Sequence, residues 1–495
     1  MYEQFFLESL AITCTPMANC TNCLSSILAK RGRANVNPEV FREYDIRGVV
    51  ERDFDDHFVT DLGRAYATIL RHANKSRITL GRDCRLSSPK LREHFLEGLL
   101  ASGIDVVDIG VVPTPLLYYS VLRWNMDGGA MITGSHNGAE YNGFKLGVGS
   151  TTIFGDEIQN VRRIIESRSF EKGETRGKVT HTPIVPDYAG FIFSQFQLRA
   201  GMKVVVDAGN GCGGVVAVPL MKQLGLEVTE LFVEMDGRFP NHHPDPTVET
   251  NMRALQKAVL AQGAELGIAW DGDADRIGAV DENGRIVWGD ELLVIFARAI
   301  LKNNPGASII GEVKCSQRAY DDIARHGGRP IMWKTGHSLI KRKLKEENAL
   351  LAGEMSGHMF FADRYFGFDD AIYATFRLLD IVSRERRGLA AMLADLPKAA
   401  VTPEIRLDCP DHHKFEVVRR AAEYFSRDHQ VITVDGVRVQ FDDGWGLVRA
   451  SNTQPALVMR FEASTDARLR EIRALFEAKL KELGGILTYA RQATN

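Results

Sequence analysis

The sequence has no apolar run that reaches the roughly 20 residues needed to cross a bilayer, which excludes a simple membrane-spanning helix. It has no surplus of charge either. Lys and Arg number 61 against 64 Asp and Glu, a formal net charge of −3. Such a balance excludes a broad electrostatic surface for nucleic acid or anionic lipid, while leaving room for one basic cleft. Cysteine is scarce, seven in 495 residues, and the number is odd. Cys84, Cys212, Cys315 and Cys409 lie far apart, which argues against a disulfide scaffold and for reduced thiols. Cys14, Cys20 and Cys23 lie closer together, but no fourth ligand stands at metal spacing. The start carries Glu3 and Glu8 and lacks the basic region of a signal peptide. These absences predict a cytoplasmic protein with no nucleic-acid or membrane partner, and a monomer is expected.

Residues 1–36 show no sustained periodicity and read as a disordered N-terminal extension. From about residue 38, short β-rich runs alternate with helical stretches. RITLG 77–81, IDVVDIG 104–110 and GAMIT 129–133 alternate with helices near 53–73, 88–102 and 114–124. The pattern resumes at MKVVVDAGNG 202–211, LGIAWDGD 266–273, SIIGEVK 308–314 and PIMWKTGH 330–337. Polar residues repeatedly cluster just past an apolar run, where open α/β sheets bind ligands. Beyond 404 the strands shorten around a DG hairpin signal at 435–436, with helices near 412–428 and 466–483. The reading is three mixed α/β domains (37–182, 183–285, 286–398) and a smaller C-terminal α+β domain (399–495). No residue-level internal repeat is visible.

Four polar loops carry candidate chemistry. TGSHNGAEYNGFK 133–145 presents Ser135 among His136, Asn137 and Lys145. A serine becomes a phosphoryl carrier only where neighbours manage its proton and charge, and a plain polar turn accounts for the residues equally well. DGDADR 271–276 places Asp271, Asp273 and Asp275 at alternate positions after a buried run, an all-oxygen set suited to Mg²⁺. A calcium EF-hand is the rival. However, its sixth position needs glycine and holds Arg276, and the preceding segment reads as strand. In GEMSGH 353–358, Glu354 and Ser356 could grip neighbouring sugar hydroxyls. In RASNTQP 449–455, Arg449 with Ser451, Asn452 and Thr453 could hold a phosphate dianion. A turn explains either of these loops as well.

Taken together and in this order, the loops resemble the four active-site loops of the α-D-phosphohexomutase superfamily, especially its bacterial phosphomannomutase/phosphoglucomutase branch. FREYDIRGVV, VVPTPLLYY 112–119, FPNHHPDPT 239–247, MWKTGHSLIK 332–341 and FGFDD 366–370 extend the resemblance from about Phe41 to the C-terminal helix.

The resemblance implies four domains around one cleft and reversible conversion of mannose and glucose 1-phosphates and 6-phosphates. It implies a phosphoserine at Ser135 and one Mg²⁺ held by Asp271, Asp273, Asp275 and the Ser135 phosphate. A hexose 1,6-bisphosphate would serve as intermediate and activator. Arg47, Lys145 and His337 would act with Ser135 in catalysis, Lys145 and His337 being the candidate acid and base. Tyr44, His136, Arg276, Lys314, Glu354, Ser356, His358, Arg449, Ser451, Asn452 and Thr453 would bind substrate.

Two residues depart from the family pattern: Gly138 stands where proline is usual, and Ala274 where glycine is usual. Ala274 fits only if its φ is not positive. The alternatives are a single-substrate phosphoglucomutase, a phosphoglucosamine mutase (disfavoured by Met355, where glutamine is more usual), a Mg²⁺-dependent sugar phosphatase and a non-catalytic binding protein.

Overall fold

The computed structural model describes residues 36–452 and 454–483. The N-terminal extension, with Cys14, Cys20 and Cys23, and Thr453 lie outside the described residues. Four sheets follow one another along the chain. The first runs Ile46–Val49, Tyr141–Val148, Gly128–Ile132, Arg77–Arg82, Asp105–Val111, Val179–His181, with parallel pairing in its middle. The second runs Ile286–Val287, Ile277–Asp281, Leu266–Trp270, Lys203–Asp207, Glu227–Leu231. The third runs Arg329–Trp333, Ser308–Glu312, Leu351–Gly353, Met359–Phe361. The fourth is antiparallel throughout and backed by helices Asp411–Phe425 and Asp466–Glu482.

The elements form where apolar pattern and end signals agree. Helix Asp56–His72 starts at Asp55, whose carboxylate accepts the Phe58 amide at 2.7 Å, and it buries Phe58, Leu62, Tyr66 and Leu70 along one face. Strands Leu266–Trp270 and Ser308–Glu312 are buried at every residue, as strands covered on both faces must be. Each fully buried large apolar side chain contributes about 1.5–3 kcal/mol. One apolar core from Val107 to Leu396 runs through the first three units, the first has a further core around Phe58, Phe95 and Phe144, and the fourth has one around Phe425, Phe461 and Phe476.

Two local expectations are corrected. The stretch 133–145 is not one loop, because Tyr141–Val148 is a strand paired with both Ile46–Val49 and Gly128–Ile132. Lys145 is therefore fixed by sheet register, opposite Met131. The second unit runs two residues past 285, because Ile286–Val287 pairs with Ile277–Asp281 as the edge strand of the second sheet. Among the described residues no helix is long and apolar enough to cross a membrane.

Candidate functional site

The serine loop begins where strand Gly128–Ile132 ends. Ser135 is almost fully buried and takes a left-handed backbone, φ 51°, a conformation that costs a non-glycine residue about 1–2 kcal/mol. Surrounding bonds hold it there. The Ser135 amide donates to Thr133 Oγ1 at 2.8 Å, and the Gly134 amide to Asp83 Oδ2 at 3.1 Å. Arg85, 1% exposed, donates through Nη2 to the carbonyls of Ser135 (2.8 Å) and Asn137 (2.6 Å), and through Nη1 to those of Gly138 and Tyr141. Asp83 anchors the guanidinium at 2.9 Å, and its face lies 4.9 Å from the Phe239 ring. One buried side chain thus gathers three carbonyls of the serine loop and that of Tyr141, where the next strand begins. Gly138, where the family pattern has proline, contributes one of these carbonyls.

The acidic loop joins antiparallel strands Leu266–Trp270 and Ile277–Asp281, which removes the EF-hand reading. Ala274 has φ 55°, so this alanine bears a strain that glycine would not, contrary to the condition set by its sequence. Gly272 answers to a different need: a Cβ there would lie 2.6 Å from the Ser135 carbonyl.

Asp271, Asp273 and Asp275 are fully buried, with ligand oxygens within 4.8 Å of one another. Asp271 Oδ2 lies 3.2 Å from Ser135 Oγ, which also lies 3.1 Å from His136 Nδ1. Asp273 Oδ2 accepts from Thr114 (2.6 Å), Thr133 (3.2 Å) and Lys145 (3.1 Å), while its Oδ1 is buried without a partner. Asp275 meets Lys145 and, at 3.1 Å, His358 Nε2. Burial and the two neighbouring carboxylates push Asp271 well above its ordinary range. Burial works the same way on Asp275, but Lys145 and His358 outweigh it and hold it well below. Three buried carboxylates, one unpartnered oxygen and one carboxyl driven towards neutrality make a set that a divalent cation fits.

Lys145 keeps its charge against burial because Asp273 and Asp275 flank it. His337 is driven well below 6.5 by burial, with Lys341 and Lys145 adding to the effect, so it is neutral. Its Nδ1 is 3.5 Å from Asp369 Oδ2.

The remaining loops close over this centre. The Glu354 carboxylate accepts the Gly336 amide at 2.7 Å, pairs with His358 Nδ1 and takes the Ser356 hydroxyl at 3.3 Å. Burial opposes the Glu354 charge, but His358 prevails and lowers it to about 2. Tyr44 joins three units: its hydroxyl donates to the Thr335 carbonyl at 2.7 Å and accepts from Asn452 at 2.8 Å. Gly336 is required there, at φ 130°, since a Cβ would sit 2.3 Å from the Tyr44 ring. Arg449 bonds Asp435 (2.9 Å), Lys314 bonds Glu404 (2.8 Å), and Arg47 bonds Asn137 (2.6 Å) with its Nε unpartnered. Arg276 lies 3.2 Å from His358. Ser451 is buried, and its hydroxyl accepts the Gln454 amide at 3.2 Å.

All sequence-predicted site residues within the described chain converge here. Arg85, Thr114, Asp369, Glu404 and Glu312, whose carboxylate accepts the Met355 amide at 3.2 Å and the Thr335 hydroxyl at 2.8 Å, were not foreseen. For Arg85 the signal was available, because RDCRLSS follows the apolar run RITLG at a strand's carboxyl end.

Comparison with known proteins agrees along the whole described chain. Family models for phosphoglucomutase/phosphomannomutase match as α/β/α domain I at 38–172, domain II at 187–284, domain III at 288–400 and the C-terminal domain at 404–479. A phosphomannomutase/phosphoglucomutase of Pseudomonas syringae pv. tomato is 46% identical over 446 residues, 90% of this chain and 95% of that one. A phosphoglucomutase of Neisseria meningitidis serogroup A is 45% identical over 452 residues, covering 90% and 98%. The crystal structure of a phosphoglucomutase/phosphomannomutase family protein from Burkholderia thailandensis superposes with a TM-score of 0.85 at 41% identity, covering 92% of this chain and 99% of that one. With three α/β/α units and a C-terminal domain matched in order, this chain belongs to the phosphoglucomutase/phosphomannomutase family.

Proposed function

We propose that this protein interconverts the 1- and 6-phosphates of glucose and mannose, carrying the phosphoryl group on Ser135. What supports the reading most is the setting of Ser135. Its hydroxyl lies 3.2 Å from Asp271, at the meeting point of four polar loops otherwise rich in cationic side chains.

Asp271, Asp273 and Asp275 would hold one Mg²⁺, which when bound neutralises charge at the transferring phosphoryl group. Two phosphates of about −1.5 to −2 charges each must also be accommodated. Arg47, Lys145, Arg276, Lys314 and Arg449 offset that load, and Arg449 with Ser451, Asn452 and Thr453 grips the phosphate that is not moving. In the first half-reaction the Ser135 Oγ–P bond breaks, the phosphorus bonds to the free sugar hydroxyl oxygen, and the proton that this hydroxyl gives up ends on the freed Ser135 Oγ. His337, kept neutral by burial, accepts that hydroxyl's proton. Lys145 stays charged and serves as an electrostatic support. The bisphosphorylated sugar turns around, and its other phosphate returns to Ser135. Arg85 keeps the carrier serine in one position through both transfers.

Ser135→Ala should lose most turnover of glucose 1-phosphate and mannose 1-phosphate in a coupled assay. Intact mass should show a phosphorylated fraction in the wild type and none in the variant. Near-full activity of the variant would reject the carrier role.

The second reading is a single-substrate phosphoglucomutase, favoured by the Neisseria relative's name. It predicts a preference above about a hundredfold, ~2.7 kcal/mol of transition-state difference. Glu354 and Ser356, set to grip hydroxyls shared by both sugars, predict agreement within about tenfold.

A further inference from the structure

Two buried cations hold loops of the site by their carbonyls. Arg85 gathers three carbonyls of the serine loop in the first unit. Lys414 does the same in the fourth unit, for the loop between strands Gly444–Ala450 and Ala456–Ala463. Lys414 is the fourth residue of helix Asp411–Phe425 and is 4% exposed. Lysine is seldom so buried unless its charge is paired. Its position adds a second cost, because the first turn of a helix is the positive end of the helix dipole. Three acceptors offset both. The ammonium donates to the Asp411 carboxylate, to the Ser451 carbonyl and, at 3.0 Å, to the Gln454 carbonyl. These bonds use all three N–H donors of a lysine.

The two carbonyls bracket residues 452–453 of the candidate phosphate loop. A carbonyl oxygen facing a phosphate dianion would repel it. With both carbonyls turned onto one ammonium, the loop meets an anion with donors. Arg449, at the end of the strand before it, is 5% exposed and bonded to Asp435 at 2.9 Å, and Asn452 Nδ2 reaches the Tyr44 hydroxyl at 2.8 Å. The Gln454 amide bonds the Ser451 hydroxyl at 3.2 Å, and the Ser451 amide the Ala456 carbonyl at 2.8 Å. Those two bonds stay beside the turn, whereas Lys414 ties it to a helix whose Val417, Ala421 and Phe425 lie in the core of the fourth unit.

We propose that Lys414 is the positioning residue of the phosphate loop, so that affinity for the phosphate of either hexose phosphate depends on it. This rests on the reading that Arg449 and its neighbours hold the phosphate that is not moving. Removing the ammonium takes the shared donor from two loop carbonyls. The loop then relaxes, and its grip on the phosphate weakens by about tenfold or more. The phosphate is the same in both sugars, so the loss appears in KM for both alike.

The test measures turnover of glucose 1-phosphate and mannose 1-phosphate by full-length Lys414→Met, in a double-mutant cycle with Arg449→Ala. KM is expected to rise about tenfold or more for both sugars, with kcat within about threefold. Because Lys414 acts through the loop that carries Arg449, the double variant should fall short of the product of the two single effects by about threefold or more. A merely structural lysine gives the full product. Calorimetry of glucose 1-phosphate binding yields the same ratios without turnover. If Lys414→Met does not fold, Lys414→Gln, which removes the charge but keeps two donors, carries the same cycle. Wild-type KM in the folded variant, a loss confined to kcat, or full multiplicity with Arg449→Ala would overturn the positioning role. If Arg449→Ala itself leaves KM and binding unchanged, the phosphate-loop reading fails and the proposal falls with it. If Arg449→Ala weakens binding and the Lys414 variant does not, the proposal alone falls.

Discussion

Arg85→Lys tests whether the serine loop is held by one side chain. Arginine here makes four bonds to main-chain carbonyls and one to Asp83 through a fork of fixed geometry. Lysine keeps the charge but has three donors at one point, so it leaves about two carbonyls unsatisfied. Each such loss in a buried site costs about 1–3 kcal/mol. The loop already bears the left-handed strain of Ser135, so roughly 2–4 kcal/mol of lost restraint would let it relax to other conformations. Such a loss lowers the population of the reactive conformer, and kcat with it, by about 30- to 1000-fold. KM should stay within about threefold, because Glu354 and Arg449 sit on loops that Arg85 does not touch. The assay is steady-state turnover of glucose 1-phosphate, with intact mass following Ser135 phosphorylation. A folded Arg85→Lys protein with wild-type kcat, or one whose whole loss lies in KM, would refute the reasoning.

Three further outcomes follow from the same geometry. Asp273→Asn should raise the Mg²⁺ concentration needed for turnover by about tenfold or more, read by metal titration after chelation; activity in a metal-free preparation would give the acidic loop another role. Arg449→Ala should raise KM for glucose and mannose phosphates by similar factors with little change in kcat, because its guanidinium would meet the phosphate whatever the sugar; an effect on one sugar alone would contradict that. Asp370 accepts from Tyr188 (2.9 Å), Tyr365 (2.6 Å) and the Tyr373 amide (2.7 Å), yet burial raises it from 3.8 to about 6. Between these values the folded chain holds a proton that the unfolded chain releases, so stability falls as pH rises through the window, by up to ~3 kcal/mol. Asp370→Asn removes that slope, so melting curves should show the variant gaining on the wild type between about pH 4 and pH 6; parallel curves would refute it.

The sequence alone was enough to read the α/β class, the smaller C-terminal α+β unit and the four loops, because local signals carry them. Apolar runs ending in polar clusters mark strand ends, and alternate aspartates in DGDADR after such a run mark a candidate cation site. DG at 435–436 marked a hairpin, and Gly436 duly takes φ 80° between strands Gln430–Ile432 and Val437–Phe441. Tertiary structure decided what depends on residues distant along the chain. Sheet register made Lys145 part of a strand and turned its ammonium onto Asp273 and Asp275. Burial, which no local pattern measures, keeps His337 neutral while partners keep Lys145 charged, and so separates two candidates that the sequence left equal. The positive φ of Ala274 follows from the tight turn rather than from its own side chain, so the sequence could state the condition but not the outcome. Arg85 reads as an ordinary polar residue until the fold brings four carbonyls around it.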